Sequence, residues 1–405
     1  MKIKYIVLVA FLCSLIPTSV HALQIDGVTI GPKVENPNLD LSGSLEGRDG
    51  GASGMVGDKI LWTFGDTIFS PSSVDGKNLR SNTGGFGEPS NPTIVSEALD
   101  ANGAPGQFIP LSTSDQTYND TANSGTDRYA IWPIGVIQET QTSSLIYYLR
   151  LKVNGPGFDW TLLNTGFARI SVGESAATRI SGGGFIAPEP LFDADVMQHN
   201  GYNYFYGCKN AFGECSVARV PIASTLDKNA YQYNDGQSWQ SDINQRNETL
   251  PLLTTVRWNS YIKKYVGGSH PVFSNDIQIM TSDHPEGPWS APQTIYTSDE
   301  SIYEILYHSE QDSQNGKVMQ FGFYQPQKSN AKFGINTLQV TINGSEYQSD
   351  ASGGTNQSND KTSLVPGVPN AGNRRTSQYT LVLVAVLGSP LLFVLLRRTK
   401  KLFSR

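Results

Sequence analysis

The chain has 405 residues, a formal net charge of −6 and 38% hydrophobic residues. That length supports one large core or two modest ones, and the acidity argues against nucleic acid or an anionic lipid surface as a partner. With three cysteines and no CxxC or HExxH spacing, zinc and thiol chemistry have no support and no metal site is expected.

Residues 1–22 read as a secretory signal: Lys2 and Lys4, an apolar stretch from Ile6 to Ile16, and the small-residue exit Val20-His21-Ala22. An uncleaved anchor is the alternative, though the stretch is short for a bilayer. The next informative run is Gly47-Arg48-Asp49-Gly50-Gly51, followed by Ala52 to Val56, a turn at Gly57-Asp58, and Ile60 to Thr67. This is a predicted β-hairpin with an aspartate at each outer end, Asp49 and Asp66. Antiparallel pairing brings both to one end of the sheet, as acid/base chemistry requires; the plain alternative is two Asp-Gly turns.

Four more pairs of short β-rich runs follow with the same grammar. They are Ile131–Ile137 with Leu145–Leu151, Leu191–Met197 with Tyr202–Cys208, Leu253–Trp258 with Tyr261–Val266, and Ile302–His308 with Lys317–Tyr324. Long amphipathic helix patterns are absent, so the fold class is all-β. Five repeated units with further strand material after each predict a five-bladed β-propeller over residues 23–345. A two-sheet sandwich would explain the strand content but not the repeat. Cys208 and Cys215 flank a short loop, which suits one disulfide in an oxidising compartment.

Residues 346–378 are rich in Ser, Gly and Asn and read as a flexible stalk. Residues 379–396 carry no charge and span about 27 Å as a helix, enough to cross a hydrocarbon core. The tail 397–405 holds Arg397, Arg398, Lys400, Lys401 and Arg405, which keeps it cytoplasmic. The expectation is a single-pass type I membrane protein whose bulk is extracellular or lumenal; a processed lipid anchor is the rival. Asn119, Asn247, Asn343 and Asn356 open glycosylation sequons. Setting aside Lys2, Lys4 and the five tail cations leaves −13 on residues 23–396, a surface that does not repel a neutral polysaccharide.

Arg48-Asp49-Gly50-Gly51 with Phe64-Gly65-Asp66-Thr67 resembles the opening signature of a family catalogued as a domain of unknown function. Arg257-Trp258-Asn259 and Tyr303-Glu304 with His308 resemble it too, and Ser282 to Trp289 resembles a phrase of five-bladed arabinanase- and levansucrase-type glycosidases. Some bacterial relatives in that family are endo-D-arabinanases. The resemblance implies a glycoside hydrolase acting on furanoside-containing or related cell-surface glycans. A carbohydrate-binding propeller without turnover and a cell-surface adhesion or scaffold protein are the alternatives.

By the same resemblance Asp49 matches the general base or nucleophile, Asp66 tunes it or orients a hydroxyl, and Glu304 is the first candidate for general acid. Glu189 and Asp195 are the reserves. Arg48, Trp132, Arg257, Trp258, Asn259 and His308 are candidates to line the sugar site, each with a packing or ion-pairing role as its plain alternative. No cofactor is expected; a structural calcium in the channel would follow by analogy only. The protein is expected to act as a monomer.

Overall fold

A computed structural model describes residues 23–35, 45–70, 72–121, 127–155, 159–210, 212–271, 274–302, 304–325 and 335–343. The signal, stalk, span and tail assignments, Asn356 and Tyr303 lie outside these residues. Five antiparallel sheets are arranged as the blades of a propeller. Their innermost strands are Leu45–Val56, Asp127–Gln138, Asp195–His199, Thr255–Asn259 and Glu304–Tyr307, in blades one to five. Each pairs with the next strand of its own blade, so the five predicted hairpins form the inner halves of the five blades.

The apolar core is divided among the five gaps between blades. Ile60, Trp62 and Phe64 of blade one pack with Tyr324 and Ile335 of blade five. Phe167 of blade two meets Phe205 and Tyr231 of blade three, and Val256 of blade four meets Tyr204 and Tyr206 of blade three. A radial blade is covered on both faces, which is why the inner strands are buried almost throughout and show little two-residue alternation. Near the axis neighbouring strands touch: a Cβ on Gly135 of blade two would sit 2.6 Å from Val196 Cγ1 of blade three. Only glycine allows that approach.

Blade five is completed from the other end of the chain. Ile25–Ile30 pairs antiparallel with Ile335–Ile342 as its outermost strand, closing the ring. The period-two reading of the sequence had not assigned this strand, whose residues are mostly exposed. The disulfide Cys208–Cys215 is formed and joins directly opposed residues of blade three. Between blades one and two lies one nine-residue helix, Thr113–Thr121.

All inner strands run the same way along the axis, so their first residues share one end, here the mouth, and their last residues share the other, called the closed end because His308 and Gln311 of blade five cross to Ser53 of blade one there. Along the channel the blades are tied by polar groups. Asp195 accepts hydrogen bonds from Arg257 Nη1 at 2.6 Å and from the Val256 N–H at 2.6 Å, linking blades three and four. Its side chain is fully buried, so removing Arg257 strands a charge away from water. Arg257→Ala is expected to cost about 3–5 kcal/mol in denaturant unfolding. A loss under about 1 kcal/mol, the range of exposed pairs, would show that the pair is not structural.

Candidate active site

Blade one's inner hairpin is irregular where the chemistry was expected. Its register slips between Arg48 and Gly50 and again between Gly50 and Ala52, with Gly50 at φ 77° and Gly51 at φ 109°. Such bulges re-aim side chains. The Asp49 carboxylate lies over Gly65 of the second strand, where an added Cβ would fall 2.2 Å from Oδ1. Glycine is therefore required beside Asp66 for Asp49 to occupy this position.

Asp66 sits at the same end of the hairpin but turns towards blade two. It forms an ion pair with Arg128, and the Trp132 indole N–H donates to its Oδ1 at 3.1 Å. The two aspartates are thus neighbours through the backbone and have different partners.

Glu304, the first residue of blade five's inner strand, joins the site across the ring closure. The Gly50 N–H donates to its carboxylate, and its Oε2 is buried with no hydrogen-bond partner. Burial pushes this carboxyl up to about 7, against the pull of the Gly50 N–H. Tyr324 stands opposite Glu304 in the adjacent strand. Burial, then the charges of Asp49 and Glu304, raise its phenol well above the ordinary range, so it keeps its proton. Asp49, Glu304 and Tyr324 form one recessed cluster, with Asp49 5% and Glu304 8% exposed.

Tyr324 was not singled out in the sequence. The signal was available: it ends the second strand of its blade, the position Asp66 approaches in blade one. Asp193 and His270 are also buried at the mouth end, one before blade three's inner strand and the other after blade four's second strand.

Several expected sugar contacts lie elsewhere. Trp258 and Asn259 end blade four's inner strand, roughly 10–13 Å from its mouth-end residue at the usual rise per residue. Trp258 stacks on His199 at 4.4 Å between ring centroids, and Asn259 is fully buried and donates to Tyr307 Oη and Gly316 O. Arg257, two residues into blade four's inner strand, is committed to Asp195, and His308, just past the end of blade five's inner strand, lies beside Ser53. His308 Nδ1 is 2.6 Å from Ser53 Oγ, and burial pushes its pKa down to about 3, so the ring is neutral. Arg48 is buried, paired with Glu97 and packed 3.6 Å over the Phe64 ring. Trp132 does reach the site through its indole N–H on Asp66, but its ring is 4% exposed and packs edge-on to Trp160. Glu189 is on the loop leading into blade three and pairs with Lys228 at 3.0 Å. The physical reason is common to most of these: in a strand each residue moves a side chain about 3.3 Å further from the mouth, and burial then selects ion pairing or stacking.

Among the described residues no three His, Cys, Asp or Glu side chains gather to hold a metal. Asn119 is held by the Tyr129 backbone, donating to its carbonyl at 2.9 Å and accepting from its N–H at 2.8 Å.

Comparisons with known proteins give three results. The family described as Domain of unknown function (DUF5005) matches residues 40–339. No curated protein matches the chain. Among solved structures, a candidate hydrolase from Bacteroides ovatus aligns with TM-score 0.53 and 14% identity, over 74% of this chain and 86% of its own. Zg3597, a family 117 glycoside hydrolase of the marine bacterium Zobellia galactanivorans, aligns with TM-score 0.48 and 10% identity, over 78% and 90%. At 14% identity the first likeness concerns the fold alone.

Glu304 gives a stability test. Its folded pKa of about 7 exceeds the ordinary 4.5, so the folded protein retains a proton that the unfolded chain has lost in between. Stability from this group is therefore greatest below pH 4.5 and declines as pH rises to 7, by about 3 kcal/mol in full. Glu304→Gln removes that decline. Unfolding of variant and parent at pH 5 and pH 8 is expected to show the variant gaining on the parent with pH; a constant difference would mean Glu304 is not buried as a carboxyl.

Proposed function

The chain belongs to the DUF5005 family, and from a propeller of that family with Asp49 beside a protonatable Glu304 we propose that it is a glycoside hydrolase. The observation that carries this reading is the buried Glu304 carboxyl, raised to about 7 and adjoining Asp49 through Gly50. A glycosidase needs one carboxyl that donates a proton to the leaving oxygen and one that stays ionised on the other side of the bond. Glu304 fills the first role at neutral pH and below. Asp49 fills the second, as base or nucleophile, with Tyr324 as a retained proton donor beside both. Asp66, fixed by Arg128 and Trp132, orients the Asp49 hairpin and adds negative charge at the mouth. The substrate class is a furanoside-containing or related cell-surface glycan. The signal at 1–22 and the span at 379–396 carry the propeller to the outside or lumen of a membrane.

Carbohydrate binding without turnover is the second reading, favoured by the burial of both Asp49 and Glu304. Incubating the protein with arabinans, fructans and wall polysaccharides, with products resolved by size, separates the two. Hydrolysis is expected to fall as pH rises through 7, where Glu304 loses its proton. Asp49→Asn and Glu304→Gln are each expected to lower kcat by about 100-fold or more. A parent protein that binds these glycans and releases no fragments leaves the binding reading in place of the enzyme.

A further inference from the structure

Beside the mouth, between blades one and two, lies a cavity of about 570 Å³. One wall is the segment Asp75 to Ser81, including the short strand Leu79–Arg80 that pairs with Thr67 and Ile68. The opposite wall is the helix Thr113–Thr121, through Gln116, Asn119 and Asp120, and the floor includes Arg128 and Tyr129 from the mouth end of blade two's inner strand.

The lining mixes polar and apolar surface, and its charges are already matched. Arg80 pairs with Asp75 at 3.0 Å, Lys77 pairs with Asp120, and Arg128 pairs with Asp66. Lys77 is the main reason the Asp120 carboxyl lies below its ordinary range. An anionic ligand would have to compete with these carboxylates, and a cation with the guanidinium groups. A neutral polyhydroxyl ligand competes with neither, since each hydroxyl both donates and accepts. Of the lining amides, Asn119 is held by the Tyr129 backbone, Gln107 by Ser81 and Ile109, and Gln116 by Asp120, which leaves Asn78 on the wall to meet a hydroxyl beside the apolar surface of Leu79, Leu111 and Tyr129. A purely apolar ligand would take water from the ionic groups and from Asn78 without replacing it, whereas a sugar offers hydroxyls to these and C–H faces to the apolar part of the wall. The volume is within the range of small-molecule sites.

Arg128 connects this cavity to the reaction site, because it lines the cavity and holds Asp66, next to the glycine over which Asp49 lies. We propose that the cavity is a subsite for a neutral segment of the glycan chain, away from the bond being cut. The proposal rests on the glycosidase reading for its purpose but not for its existence. Remote binding of this kind positions the reacting bond.

The test uses the full chain carrying Asp49→Asn, to stop turnover, titrated calorimetrically with short neutral arabino-, xylo- and galacto-oligosaccharides and with oligogalacturonate as the anionic comparison. Asn78, exposed on the cavity wall, is replaced in a second protein (Asn78→Trp), and Gln116→Trp obstructs the other wall should the first fail to fold. At least one neutral oligosaccharide is expected to bind, and about tenfold more weakly once either tryptophan is present, with an unchanged melting temperature. Binding unaffected by both tryptophans, tighter binding of oligogalacturonate, or no neutral binding at millimolar concentration would each overturn the subsite. Turnover by proteins with Asp49 intact is measured in parallel. Binding lost to a tryptophan with no hydrolysis by the parent keeps the subsite and rejects the enzyme; hydrolysis undiminished by either tryptophan keeps the enzyme and rejects the subsite.

Discussion

The hydrogen bond from the Gly50 N–H to the Glu304 carboxylate spans the seam of the ring, and the site depends on that seam being closed. Gly50 belongs to the first blade and Glu304 to the last, so their meeting requires all the intervening blades to pack at the correct angle. Closure is provided locally by Ile25–Ile30 on Ile335–Ile342 and by the apolar contacts of Trp62 and Phe64 with Tyr324 and Ile335. Tyr324 takes part in both: its ring belongs to that contact and its phenol faces the carboxyls. Packing and chemistry are coupled at one residue.

Buried ionisable groups of the channel are treated in two ways. Some are neutralised in place: Asp195 by Arg257, and His308 by losing its proton. At the mouth a carboxyl is left with an unpartnered oxygen and a raised pKa. A buried charge that is paired stabilises the ring or is tolerated by it; one left short of partners is held ready for another molecule. The repeated blade plan offers the same positions in every sheet, and the side chains placed there decide which groups are structural and which are reactive.

Much of this was legible in the sequence because strands leave a periodic record. The five hairpins, the turn at Gly57, the disulfide and the placement of Asp49 and Asp66 at one end all follow from local rules of pairing and turn chemistry. What was not legible depends on contacts between blades. The slips of register around Gly50 re-aim Asp49, and nothing in a strand pattern marks where pairing will slip. Arg257 and His308 carry the residue types of a sugar site, yet their distance along the strand and their burial partners set their roles. Ile25–Ile30 carries too little apolar alternation to announce a strand, since it has one sheet neighbour and much solvent. Tyr324 looked like one more aromatic in a strand, and only the fold shows which carboxyls it meets.

The last hydrogen bond of the closing strands, from the Asn343 N–H to Gln24 O at 2.8 Å, puts both exits of the ring side by side. Strand direction places them at the closed end of blade five, on the far side from Asp49 and Glu304. Any tether continuing past Asn343 therefore grips the propeller from behind. The rim that carries Asp49 and Glu304 is thus left clear of both ends of the ring, and whatever is joined to either end adds its bulk on the opposite face.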